Sequence, residues 1–261
     1  MEYETISVSD ERNVRTITLD RPDDLNAIDE RVTTELQKEL KGVARDRAVR
    51  CLVLTGAGRA FCAGQDLKSA TAGDGPMDFT AALRRRYNPV VTALREMEIP
   101  TIASVNGVAA GAGWSLALAC DLRIASTKAK FVVAFGSIGL VPDSGMTLTL
   151  PRLVGYAKAL EIAWLGDPIS AESALELGLV NRVAEPDQLA AATREWAERL
   201  AKGPTKGMGL TKRAINASLT NDLAAQLEYE AHMQGIAGRT KDYNEGVRAF
   251  IEKRPAEFTG E

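Results

Sequence analysis

The residues best placed to do chemistry in this sequence are its smallest ones. The run Asn106-Gly-Val-Ala-Ala-Gly-Ala-Gly113 follows a β-like stretch, Thr101-Ile-Ala-Ser-Val105. It precedes a helix pattern with Leu116, Ala117 and Cys120 on one side. A strand-to-helix turn made of Gly and Ala lets a bulky group approach the backbone. The first N–H groups of a helix have no partner inside it, and the helix dipole places partial positive charge there. Such a turn suits an anion or a developing oxyanion. The same small residues would equally serve close helix–strand packing. A second run, Leu54-Thr-Gly-Ala-Gly-Arg-Ala-Phe-Cys-Ala-Gly-Gln-Asp-Leu67, repeats the arrangement. Two such turns could each offer one backbone N–H to the same carbonyl oxygen.

Other chemistries fit less well. Gly111-Ala-Gly113 is not a dinucleotide fingerprint, because Leu116 stands where the third Gly is needed. Gly113-Trp-Ser-Leu-Ala117 is not a nucleophile elbow, because its last residue is not Gly. His232 is the single histidine, and Cys51, Cys62 and Cys120 are widely spaced. They support neither a multi-histidine metal site nor a disulfide framework, so no metal is expected and a reducing cytoplasm is the simplest setting. A net charge of −3 implies no broad basic face for nucleic acid. No apolar run reaches membrane-spanning length. The N-terminus, Met1-Glu-Tyr-Glu4, is acidic and carries no signal-peptide pattern. With 45% hydrophobic and 26% charged residues over 261 positions, the chain reads as one large globular domain or a domain with an appendage.

Both turns need a scaffold of strands and helices. Residues 3–9 and 14–20 read as a hairpin turning through 10–13. Asp29 is a suitable N-cap for a helix with Val32, Leu36, Leu40 and Val43 on its apolar face. Cys51-Leu-Val-Leu54 is a buried strand, and residues 68–78 form a Gly- and Ser-rich mobile loop. Residues 79–97 read as a helix through Leu83, Tyr87, Val90, Val91 and Leu94, kinked at Pro89. Arg84, Arg85 and Arg86 on it read as a solvated face or a phosphate contact. Short strands are expected at 122–125 and 131–133. The long turn 136–145 leads to a helix through Met146, Leu148 and Leu150, and Asp143 alone reads as its N-cap. Beyond Ala157 helices dominate, with a lone strand at 179–183. Strand, turn and helix recur, so the fold class is α/β, with a core over residues 1–200 and a helical region over 201–261.

With both turns in place, the sequence resembles the enoyl-CoA hydratase/isomerase (crotonase) superfamily. The resemblance runs from Leu19-Asp-Arg-Pro22 and Asn26, through Phe61-Cys-Ala-Gly-Gln-Asp-Leu67 and the 106–113 turn. It continues through Ala174-Leu-Glu-Leu-Gly-Leu-Val-Asn181 to Glu245-Gly-Val-Arg-Ala-Phe-Ile-Glu-Lys-Arg254. Tyr87-Asn-Pro89, Ala129-Lys-Phe-Val-Val-Ala-Phe135, Gly139-Leu-Val-Pro-Asp143 and Phe258-Thr-Gly260 resemble its ring-epoxide isomerase branch in phenylacetate degradation. The resemblance implies a crotonase-like spiral of ββα units in two sheets, whose C-terminal helices build a homotrimer or, by pairing, a homohexamer. It implies an acyl-CoA substrate and no separate cofactor, coenzyme A entering as part of the thioester. The backbone N–H groups of Gln65 and Ala112 would form the oxyanion hole, with Gly64 and Gly111 shaping it. Leu25, Ala63, Asp66 and Leu67 would lie along the adenine end of CoA, and Lys253 would reach CoA phosphates across a subunit boundary.

The same resemblance bears on the reaction. Hydratases of the family hold one water between two glutamates, and the matching positions here are Ser115 and Phe135. Neither is a general base at neutral pH. An aspartate matching Asp143 is the acid/base in the epoxide isomerases, so the resemblance gives that role to Asp143. It would take a proton next to the thioester carbonyl and leave an enolate in the oxyanion hole. That enolate would open an epoxide or shift a double bond. Trp114 and Phe135 are expected to wall the site and raise the basicity of Asp143. The rivals are a hydratase and an acyl-CoA binder without catalysis.

Overall fold

The computed structural model describes residues 3–70 and 78–261. β1 (Ile6–Glu11) and β2 (Val14–Leu19) form an antiparallel hairpin. Its turn is only Arg12-Asn13, both at positive φ. Two left-handed residues match the twist of the flanking strands, so the hairpin is tighter than the four-residue turn expected. Asp29 caps α1 (Glu30–Val43), its carboxylate accepting from the Val32 N–H at 2.8 Å, a contact worth about 1 kcal/mol.

Three strand pairs then repeat one plan. β3 (Cys51–Gly56) is followed by β4 (Ala60–Cys62), and β5 (Thr101–Val105) by β6 (Val108–Ala110). The third pair is β7 (Leu122–Ser126) and β8 (Lys130–Val132), with three helices intervening before β5 and one after β6. Those helices are α2 (Leu67–Ala70), α3 (Phe79–Ala82), α4 (Asn88–Glu96) and α5 (Ala112–Ala119). Of the expected loop at 68–78, residues 68–70 belong to α2, and 71–77 lie outside the described residues. After β8 come α6 (Met146–Val154), α7 (Tyr156–Leu165), β9 (Ile169–Ser170), α8 (Ala171–Glu176), β10 (Arg182–Ala184) and α9 (Leu189–Ala201). The chain closes with α10 (Thr205–Ala217), α11 (Leu223–Ala237) and α12 (Lys241–Glu252).

The first strand of each pair joins a six-stranded sheet, β1-β2-β3-β5-β7-β10, and the second joins a four-stranded sheet, β4-β6-β8-β9. Beyond the hairpin the large sheet is parallel. The expected strand at 179–183 is therefore not alone. It forms three residues later, as β10, and pairs with β7. The buried Arg123 side chain fixes the approach, donating from Nε to the Leu179 carbonyl at 2.6 Å.

Both faces of the large sheet are covered, which is why β3 reads as an unbroken apolar run. Leu52 and Leu54 face the main core with Leu36, Leu40, Leu94 and Leu116. Cys51 and Val53 face a second cluster with Leu189, Ala192, Ala197 and Ala201 of α9. This is the crotonase-like α/β fold, a succession of ββα units followed by a helical C-terminal region.

Pro89 does not produce a simple kink. A wide π-helical turn, Leu83–Tyr87, precedes α4, with the Asn88 N–H bonded to the Leu83 carbonyl. Proline at 89 has no N–H for the carbonyl of Arg85 four residues back. The Gln37 amide supplies the missing donor, reaching both the Arg85 and Arg86 carbonyls at 3.0 Å.

Candidate active site

The two glycine-rich runs meet because each contains a strand. β4 and β6 lie inside what the sequence reads as turns, and they pair in parallel. A parallel bridge sets Gln65 beside Ile28, whose N–H and C=O bond the Gly64 carbonyl at 2.7 Å and the Asp66 N–H at 2.9 Å. In such a bridge the backbone groups of Gln65 itself point to the opposite side of the strand.

Ala112 begins α5, and its N-cap, Gly111, provides no side-chain cap. The Ala112 N–H is thus one of the donors a helix leaves open at its start. Gly64 has φ +96°, and a Cβ there would stand 2.9 Å from the Ala110 carbonyl oxygen and 3.6 Å from the Ala112 nitrogen. A Cβ on Gly113 would stand 2.3 Å from the Cys62 carbonyl oxygen. These two glycines let the runs touch backbone to backbone.

Against this junction lies a cavity of about 160 Å³. Ala63, Gly64, Gln65, Leu67, Gly111, Ala112, Phe135 and Asp143 all line it. Its wall also includes Phe79, Leu83 and Ile138, together with Tyr87 and Leu140, which belong to resemblance motifs that give them no role. Leu83 and Tyr87 read as ordinary core positions of a helix. The aromatic hydroxyl just ahead of Pro89 was the available signal.

Asp143 is the one carboxylate among the described residues that line the cavity. Burial pushes its carboxyl above the ordinary carboxylate range, opposed by a hydrogen bond from the Ser144 hydroxyl to Oδ1 at 2.8 Å. It does not cap α6. The N-cap is Gly145 at φ +84°, and the backbone carbonyl of Asp143, not its side chain, accepts from the Met146 N–H. The cap reading is corrected for that reason. Ser144 sits at φ +53°, and a left-handed serine is held only by firm surroundings. The Ser115 hydroxyl supplies part of that hold, donating to the Asp143 carbonyl at 3.0 Å and lying 3.3 Å from the Gly111 carbonyl.

Trp114 is a second correction. It is fully buried, packs against Phe131 with ring centroids 5.5 Å apart, and does not line the cavity. All eight residues of α5 are buried, so the sequence offered no polar face from which to phase the helix.

Three further residues lie off the cavity. Leu25 follows a short 3₁₀ turn at φ +53°, and its carbonyl accepts from the Ala63 N–H at 3.0 Å, which places it behind the rim. The Asp66 carboxylate is held by Arg21 at 3.0 Å and accepts from the Lys68 N–H at 3.1 Å. Lys253 is exposed at the end of α12, with φ +55°.

A backbone junction at an open helix start and a half-buried carboxylate thus line one largely apolar cavity. The enoyl-CoA hydratase/isomerase family model matches residues 9–261. The chain belongs to the enoyl-CoA hydratase/isomerase family. It is 48% identical over 253 residues to 1,2-epoxyphenylacetyl-CoA isomerase of Escherichia coli K12, covering 96% of each chain. It is 34% identical to crotonyl-CoA hydratase of Syntrophomonas wolfei, covering 99% of each. Among solved structures, enoyl-CoA hydratase from Bacillus anthracis superposes with a TM-score of 0.93 at 34% identity, covering 99% of this chain and 100% of that one.

Proposed function

We propose that this protein is an acyl-CoA isomerase that works through an enolate. Its most fitting substrate is 2-(1,2-epoxy-1,2-dihydrophenyl)acetyl-CoA, converted to the oxepin-CoA in phenylacetate catabolism. The observation that carries the reading is that Asp143, the single carboxylate among the described lining residues, shares one cavity with the junction of the two glycine-rich runs. The thioester oxygen accepts from the Gln65 and Ala112 N–H groups, and the carbon next to the carbonyl becomes acidic. Each such donor contributes on the order of 3 kcal/mol to transition-state stabilisation. Asp143 removes the proton and holds it. With a ring epoxide, the enolate electrons open the strained ring, the ring expands, and Asp143 returns its proton to the ring-expanded product. With a 3-enoyl thioester they shift the double bond, and Asp143 returns the proton at C4. One carboxylate suffices for a proton shuttle, whereas hydration also needs a water held and deprotonated. Ser115 is committed to the Asp143 turn and Phe135 is apolar, which supports isomerisation over hydration.

Residues 201–261 are proposed as the assembly region of a trimer or a pair of trimers. Leu223, Leu227, Phe250 and Ile251 are exposed on its helices, which supports packing against other copies. In that assembly Lys253 serves a neighbour's CoA phosphate, and Leu25, Asp66 and Leu67 border the adenine. The deciding experiment is a substrate panel. Wild type should isomerise the ring-epoxide thioester, and 3-enoyl-CoA more slowly, while hydrating crotonyl-CoA poorly. Rapid crotonyl-CoA hydration with no isomerisation would overturn the reading.

A further inference from the structure

The cavity holds a second polar group that the proton shuttle does not use. Tyr87 is 5% exposed and lines the cavity. Its hydroxyl has no hydrogen-bond partner among the described residues, yet it is not sealed off. The sealed and unpartnered side-chain polar atom among those residues is Trp114 Nε1. The cavity wall is largely apolar, with Phe79, Leu83, Phe135, Ile138 and Leu140. Besides Asp143, its other polar side chains among the described residues are Gln65 and Ser137, whose hydroxyl donates to the Ala134 carbonyl. Oδ1 of Asp143 is already engaged by Ser144. Burial, with Cys62 and Asp143 close by, holds the Tyr87 phenol above its usual range, so it is a neutral donor at working pH.

A buried tyrosine hydroxyl normally finds a partner. A hydrocarbon acyl group filling this cavity would displace water and strand the hydroxyl. An acyl group carrying an oxygen without a proton would satisfy it. The wide turn at 83–87 places Tyr87 here, and the Gln37 contacts hold that turn open.

We propose that Tyr87 determines specificity by donating a hydrogen bond to an ether or epoxide oxygen of the acyl group, selecting oxygen-bearing cyclic acyl thioesters over hydrocarbon ones of the same shape. The assignment rests on the reading of the cavity as the acyl-thioester site. No proton leaves the phenol, so Tyr87 is a binding residue for the substrate oxygen.

The test compares two inert ligands differing by one atom, 2-methoxyphenylacetyl-CoA and 2-ethylphenylacetyl-CoA, by calorimetric titration of wild type and Tyr87→Phe. Wild type should favour the ether about fivefold, as one net hydrogen bond allows, and the ratio should fall to about one in Tyr87→Phe. The acid limb of the pH–rate profile with a 3-enoyl thioester should keep its midpoint in the variant. A preference that persists in Tyr87→Phe, or is absent from wild type, overturns the assignment. So does a shifted midpoint, which would make Tyr87 a partner of Asp143 instead. Wild type that shows the ether preference but isomerises nothing overturns the proposed reaction and leaves the Tyr87 assignment standing.

Discussion

The Ser115 hydroxyl donates to the backbone carbonyl of Asp143 at 3.0 Å. That bond ties the helix beginning at Ala112 to the turn carrying Asp143. Ser115→Ala should cost about 1 kcal/mol of stability. It should also lower kcat with little change in KM, because the loosened group is Asp143 and not a ligand contact. Urea unfolding and steady-state kinetics on a 3-enoyl thioester check both.

Asp143→Asn should lower isomerase turnover by about 10²–10⁴ and leave CoA binding intact. Its stability should move the other way. The folded carboxyl binds its proton more tightly than the unfolded one. That contribution to folding is full below the unfolded value and is lost as pH rises through the folded one. The Asn variant should therefore melt higher than wild type at pH 7, by roughly a few degrees, and the gap should close in acid. Wild-type turnover should fall on the acid side with a midpoint above the usual carboxylate range.

Gly64→Ala should strain a backbone at φ +96° and drive a methyl against the Ala110 carbonyl. We expect a loss of about 1–3 kcal/mol in stability and on the order of 10²–10³ in kcat, since Gln65 and Ala112 would both move. An unchanged kcat in the folded variant would show that neither N–H serves the reaction.

Arg50→Ala should release the C-terminal region from the sheet. The Arg50 guanidinium donates to the Gly203 carbonyl at 2.5 Å, the Thr205 hydroxyl at 2.9 Å and the Phe258 carbonyl at 2.9 Å. We expect about 1.5–3 kcal/mol of lost stability and faster proteolysis beyond Arg254, read by mass spectrometry.

Much of the scaffold was legible because the physics is local. Asp29 announced a helix start by residue type. The 51–54 run announced a buried strand. The two glycine-rich runs declared an open backbone before any fold was known. What escaped depended on partners distant in sequence. β4 (Ala-Phe-Cys) and β6 (Val-Ala-Ala) are three residues each, and they become strands by pairing with one another and, for β6, with β8. Asp143 looked like a cap because Asp caps well, but the Ser144–Gly145 left-handed pair carries the chain into α6 and turns the carboxylate to the cavity. Tyr87 belonged to a resemblance motif but shared the helical period of core residues, and the wide turn ahead of Pro89 carries it to the cavity wall.

That wide turn has a consequence for how relatives of this chain can diverge. An i→i+5 turn takes in one residue more than an α-helical turn. Removing one residue between Leu83 and Pro89 would leave the helix intact and rotate its N-terminal part by about 100° relative to α4. A different side chain would then face the cavity, while Asp143 and both glycine runs stayed in place. Selectivity at this wall can therefore change in a single insertion or deletion, with no series of intermediate point substitutions, and the reaction itself need not change with it.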